Sequence, residues 1–146
     1  MAITTNAIAN SFKKELLEAK HNFTQTSGDQ FKIALYTNSA TLGKSTTSFT
    51  TDHQVSNTGH YTSGGGKLAK GSQQTSVASS VAIVDFADRS FTGVTLTARG
   101  ALIYNTSNSN TAVAVLDFGG DKTATAGTFT IQFPAFTTSA AILRIS

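Results

Sequence analysis

The chain has 146 residues, of which 39% are apolar and only 13% charged, roughly half the usual charged share. That is one domain's worth of chain, long enough to bury a core without metal or disulfide staples. The absence of cysteine excludes disulfides, thiolate metal sites and cysteine nucleophiles, and the net charge of +3 comes from scattered Lys and Arg rather than from a basic stripe of the kind that tracks nucleic acid.

The first predicted element is the only helix. Ile8, Phe12, Leu16 and Ala19 recur at i, i+4, i+8 and i+11, one apolar stripe at helical period. Thr5 or Asn6 is placed to cap its start, and Lys20 and His21 sit near its negative C-terminal end. Lys13, Lys14, Glu15 and Glu18 flank the stripe. The stripe can pack on the chain's own sheet or on a neighbouring subunit. We expect an intermediate case, in which the helix packs at home and leaves one face to a partner. Ile8, Phe12, Lys13, Leu16 and Lys20 are the candidate partner interface.

After Gly28 the pattern changes to strands. Phe31, Ile33 and Leu35 alternate with Lys32, Ala34 and Tyr36, the period-2 signature of a sheet. Asn38 to Gly66 is long and polar, with short candidate strands at Gln54–Val55 and His60–Thr62 and a turn at Ser63-Gly64-Gly65-Gly66. Further candidates are Lys67 to Lys70, Gln73 to Val77, Val81 to Phe86, Thr95 to Tyr104, Ala112 to Phe118, Thr128 to Phe133 and Ala140 to Ile145. Gly119 to Gly127 is flexible by composition, and Pro134 stops its strand because it cannot donate to a ladder. Ser and Thr make up roughly a quarter of the chain and stand where charges usually do; the β-branch of Thr suits an exposed strand face. The expected core is Phe31, Ile33, Leu35, Ile83, Leu96, Ile103, Val113, Val115, Phe129, Ile131 and Phe133. Short strands at regular spacing with one helix predict an all-β, jelly-roll-like β-sandwich with an N-terminal amphipathic helix. It is read as a single domain over 1–146, with 1–22 as helix and lead-in and 29–146 as the sandwich.

Residues that could carry chemistry are sparse. Asp117-Phe118-Gly119 matches a kinase metal-binding triplet, without the His-Arg-Asp and Gly-rich loops that would accompany it. Ser63 to Lys67 lacks the Gly spacing, the Ser or Thr after Lys, and the following helix of a phosphate loop. His21, His53 and His60 show no zinc spacing and read as surface residues. Asp85 with Asp88, and Asp117 with Asp121, bracket turns and read as caps rather than calcium ligands. No carboxylate pair is arranged for glycoside hydrolysis, and no Ser sits in a Gly-x-Ser-x-Gly setting. Asn22-Phe23-Thr24 and Asn105-Thr106-Ser107 are sequons, relevant only in a eukaryotic secretory route. No apolar run approaches a membrane span, and the N-terminus carries no signal-peptide core, so release on lysis is the expected route out of a cell. These readings predict no enzyme, no cofactor or metal, and no nucleic-acid, membrane or small-molecule partner.

Four segments carry a family resemblance: SFKKELLEAKHNF (11–23), FKIALYTNSATLG (31–43), LTARGALIYNTSNSN (96–110) and VLDFGGDKTATAGTFTIQFP (115–134). They resemble small structural proteins of tailed bacteriophages that infect aquatic bacteria. The resemblance runs nearly end to end and is weakest between about Ser45 and Ser80. It lies in framework and loop residues, so it implies a structural virion protein and transfers no active site. The first function it implies is a capsid decoration (cement) protein, made in the host bacterial cytoplasm. It would bind the capsid exterior and stabilise contacts between major capsid proteins, as a homotrimer by family analogy. The alternative is a tail, collar or fibre-associated structural or host-binding module, although the chain lacks Trp, a residue often used to stack on sugars.

Overall fold

The computed structural model describes residues 3–69, 74–137 and 139–146. In chain order the elements are β1 (Ala7–Ile8), α1 (Asn10–Leu17), β2 (Phe31–Tyr36), β3 (Gly66–Lys67), β4 (Gln74–Ala78), β5 (Val81–Asp85), β6 (Arg89–Asn105), β7 (Thr111–Ile131) and β8 (Leu143–Ile145). They form two antiparallel sheets, one ordered β1-β7-β6-β2-β3 and the other β4-β5-β8. The chain is therefore mostly β with one short helix.

The large sheet is built on the β6–β7 hairpin, paired from Arg89↔Ile131 to Asn105↔Thr111. Its inner end is apolar on both faces: Ala101 to Tyr104 and Ala112 to Val115 are all buried, as expected of a central strand pair covered above and below. Its outer end reverts to alternation, with Val94, Leu96 and Ala98 buried and Thr95 and Thr97 exposed. The exposed threonines pair across the strands: Thr97 with Thr123 at 2.9 Å, and Ser90 with Thr130 at 2.8 Å. Hydroxyl pairs of this kind contribute a few tenths of a kcal/mol each, roughly 0.2–1.

Gly119 to Gly127, expected to be a flexible loop, is instead strand. The register explains how. Ala98 pairs with Lys122 and Gly100 with Asp117, so the single residue Arg99 stands opposite the four residues 118–121. Such a bulge bends the strand without ending it. Asp117 fastens it by accepting from the Arg99 guanidinium and from the Gly119 amide, and Asp121 accepts from the Asn38 amide at 3.0 Å. Gly100 is required beside the bulge, because a Cβ there would collide with the Leu116 carbonyl and with Ile3, which packs over it.

The long polar segment after β2 forms no strands among the described residues. Gln54 and Tyr61 make only isolated bridges, so the candidates at 54–55 and 60–62 fail. The segment instead closes an edge. β3 pairs with β2 only at Lys32 and Ile33. Beyond that point the Tyr61 hydroxyl accepts from the Leu35 amide at 2.8 Å, and the Val55 amide donates to the Leu35 carbonyl at 2.9 Å. These groups satisfy buried backbone that another strand would otherwise have to pair. Gly65 (φ +85) lies against β2 so closely that a Cβ would land on the Ile33 carbonyl, which no L-residue could accommodate.

The expected core holds, except that Phe133 is only partly buried. One contiguous cluster runs from Ile3 to Leu143. Five phenylalanines join its parts: Phe12 to Phe23, Phe23 stacked on Phe31 at 4.6 Å, then Phe86, then Phe133. The candidate strands at 67–70 and 73–77 are shorter or shifted, as β3 and β4; Lys70 and Gln73 lie outside the described residues.

Burial pushes the Tyr61 phenol up to about 12, against about 10 in an unfolded chain. The unfolded chain therefore loses that proton first, and stability falls as pH rises from about 10 to about 12. Tyr36 and Tyr104 shift the same way from the same cause. Tyr61→Phe strands the buried Leu35 amide and should cost about 1–3 kcal/mol at neutral pH, measured by urea unfolding. The same variant should lose less stability than the wild type between pH 10 and 12.

Candidate functional site: a groove between the helix and the small sheet

α1 begins later than its sequence stripe suggests. Ala7 and Ile8 are paired with Val115 and Ala114 of β7 as a short edge strand, and the Ala9 amide continues the ladder to Val113 at 3.0 Å. Sheet hydrogen bonds thus override the helical period at Ile8. Thr5 and Asn6 cap nothing: Ala9 occupies the N-cap without a side-chain bond, and the Asn6 side chain accepts from the Asp117 amide.

The helix ends at Leu17, where the Lys20 amide reaches back to the Glu15 carbonyl at 3.0 Å. That closure requires a left-handed residue at Ala19 (φ +59), the position glycine usually fills. Ala19 therefore turns the chain rather than extending the apolar stripe, and it is exposed.

The segment after the helix is anchored by a buried polar chain. His21 is not a surface residue. Its Nε2 lies 3.0 Å from Glu15 and its Nδ1 lies 3.0 Å from the Asn105 amide nitrogen. The same Asn105 nitrogen donates to Asp29 at 2.7 Å, while the Asn105 carbonyl oxygen accepts from the Ser107 amide at 2.9 Å. Asn105 has only two amide protons, and both are used. His21 Nδ1 is therefore the acceptor, and Nε2–H donates to Glu15. Both ring nitrogens are occupied, so the histidine holds structure and has none free for a substrate. The Phe12 ring packs on it, centroids 4.7 Å apart. Asn105 is fully buried, which makes its sequon inaccessible in the folded chain.

These anchors set α1 alongside the three-stranded sheet and leave a groove of about 510 Å³ between them. Phe12, Lys13, Leu16 and Leu17 of α1 form one wall with Ile8 of β1, and Phe23 also lines the groove. Thr75, Ala82, Val84, Leu143, Arg144 and Ile145 form the sheet wall. The cross-strand register explains why this wall is apolar. Thr75, Val84 and Leu143 form one row, and Val77, Ala82 and Ile145 form the next on the same face. Val84 and Leu143 of the first row pack on the core. The second continues outward into solvent, with Val77 72% and Ile145 60% exposed. Leu17 faces solvent at 91%.

Four of the five candidate interface residues, Ile8, Phe12, Lys13 and Leu16, meet in this groove. Lys20 does not line it, and its ammonium lies 3.0 Å from Glu18. Lys14 also pairs with Glu18, and these cations hold that carboxyl below the usual range. The sheet wall escaped sequence reasoning because its residues lie more than 50 positions from the helix. The alternation of Ala82 with Val84 and of Leu143 with Ile145 is its one local signal.

A second cleft of about 480 Å³ follows the outer part of β7, between Asn6, Phe118, Thr128 and Phe133. It is shallow and mixed in lining, and it gathers no titratable cluster. Among the described residues no three His, Asp or Glu side chains converge as a metal site, and no helix is long and apolar enough to cross a membrane.

Searches of family models, curated proteins and solved structures return no match to the chain.

Two substitutions test how the helix is held. Asn105→Ala leaves His21 and Asp29 without their shared donor and should cost about 2–4 kcal/mol, measured by urea unfolding. Ala19→Gly relieves the left-handed Cβ at some cost in chain entropy and should raise stability by about 0.5–1 kcal/mol, read as a higher melting temperature.

Proposed function

We propose that this chain is a structural virion protein of a tailed phage and that it decorates the capsid exterior. In this reading it is not an enzyme: it binds the major capsid protein, stabilises contacts between capsid subunits, and acts as a homotrimer. The observation that carries the proposal is the apolar groove with Leu17, Val77 and Ile145 left in solvent. Exposed apolar rows on so sparingly charged a chain have a physical use when a partner covers them. The resemblance of the four segments at 11–23, 31–43, 96–110 and 115–134 to phage structural proteins supports the same reading. The two antiparallel sheets, joined through β3–β4, β5–β6 and β7–β8, are compatible with a jelly-roll-like sandwich, and we read them so.

The test is composition and stoichiometry. A decoration protein should approach the major capsid protein in abundance when purified particles are quantified by mass spectrometry. The isolated chain, or the chain on heads, should scatter light as a trimer. A few copies per particle would move the protein to the tail, collar or a fibre. A monomer both in solution and on heads would remove the trimer.

A further inference from the structure

We propose that the groove receives an extended segment of a partner protein, which adds as a strand to the free edge of β8, with apolar side chains turned inward and a carboxylate beside Lys13. The inference deepens the decoration reading. It rests on that reading for whose segment is bound, but not for the surface that binds it.

Three observations combine. First, β8 is the last strand of its sheet, and among the described residues nothing pairs with its outer side. An open edge is a template for an added strand. Second, Leu143, Arg144 and Ile145 all line the groove. Side chains alternate along a strand, and on β5 Ala82 and Val84 line the groove without Ile83; that Arg144, paired with Ile83, lines it too places the groove along the edge of β8 as well as its face. A segment paired there would lie beside Ile145 and along the groove that Leu17 also lines, two of the apolar groups left exposed. Third, the charge is one-sided. Lys13 and Arg144 line the groove and no carboxylate does. Among the described residues Lys13 forms no ion pair, whereas its neighbour Lys14 is taken by Glu18. An apolar strand with an acidic flank complements that lining; a basic one would be repelled.

A fluorescein-labelled ten-residue peptide of alternating Val and Thr, with Glu at both ends, provides the probe. The comparison peptide carries Lys at both ends. Fluorescence anisotropy with the full chain should show saturable binding of the Glu peptide, at least tenfold tighter than the Lys peptide. Lys13→Glu should reverse the preference. Leu17→Asp and Ile145→Asp alter exposed side chains, so the fold should survive, as checked by circular dichroism, while binding is lost. Hydrogen exchange should slow at the amides of 143–145 when the Glu peptide binds.

Absence of saturable binding, equal affinity for both peptides, or protection elsewhere with none at 143–145 would overturn the proposal. So would self-association of the free chain that Leu17→Asp and Ile145→Asp abolish, because a second copy would then be the occupant. Peptide binding as expected, with no binding of the chain to purified heads, would support the strand-addition site and overturn the decoration reading instead.

Discussion

The pairing of β6 with β7 is the constraint on which the other elements depend. These strands, 17 and 21 residues long, run as a single hairpin whose inner end is buried on both faces. β2 adds to the β6 side and β1 to the β7 side, so both inherit their register from the hairpin. The start of α1 follows from this pairing. Ile8 is held by β7, and the chain can turn helical only after the Ala9 amide has made its last ladder bond. The hairpin is longer than a flat ribbon would tolerate, and its bulges absorb the twist. The three extra residues on β7 opposite Arg99 let the outer half change direction without losing its pairing.

The two sheets are joined by different chemistry. Phe12, Phe23, Phe31, Phe86 and Phe133 link the helix, the large sheet and the end of β5 in the small sheet in one aromatic chain. Beside it, Glu15, His21, Asn105 and Asp29 form a polar chain with every Asn105 hydrogen-bonding group used. The aromatics supply burial but little direction. The polar chain supplies direction, because an amide with both protons committed fits only one arrangement of its neighbours. Together they fix how far α1 stands from β5 and β8, and that spacing is the groove.

A chain so poor in charge must keep its surface soluble by other means. Exposed strand faces carry threonines and serines that bond across the ladder, as at Thr97–Thr123 and Ser90–Thr130. The polar segment before β3 covers the β2 edge with the Tyr61 hydroxyl and the Val55 amide. Set against these devices, the open edge of β8 and the row Val77, Ala82 and Ile145 have no such cover. The proposed partner strand would satisfy the edge and cover the Ile145 end of the row.

Local chemistry sufficed for much of this. Period-2 alternation located β2 and the outer half of β6, because a half-buried strand selects its side chains one at a time; apolar runs located β5 and the inner halves of β6 and β7. The spacing of Phe12 and Leu16 marked α1 for the same reason. Non-local pairing decided the rest. Gly119 to Gly127 reads as a loop in isolation, and becomes strand because β6 lies opposite and Asp117 fastens the bulge. Ile8 fits the helical stripe, and becomes strand because β7 offers a ladder. His21 reads as a surface residue until Glu15 and Asn105, the latter 84 positions away, close around it. The helix side of the groove was legible at Phe12, Lys13 and Leu16. Its sheet side was not, since no local pattern states which distant strand a helix will face; only the tertiary structure, which sets α1 across the groove from β5 and β8, brings the two walls together.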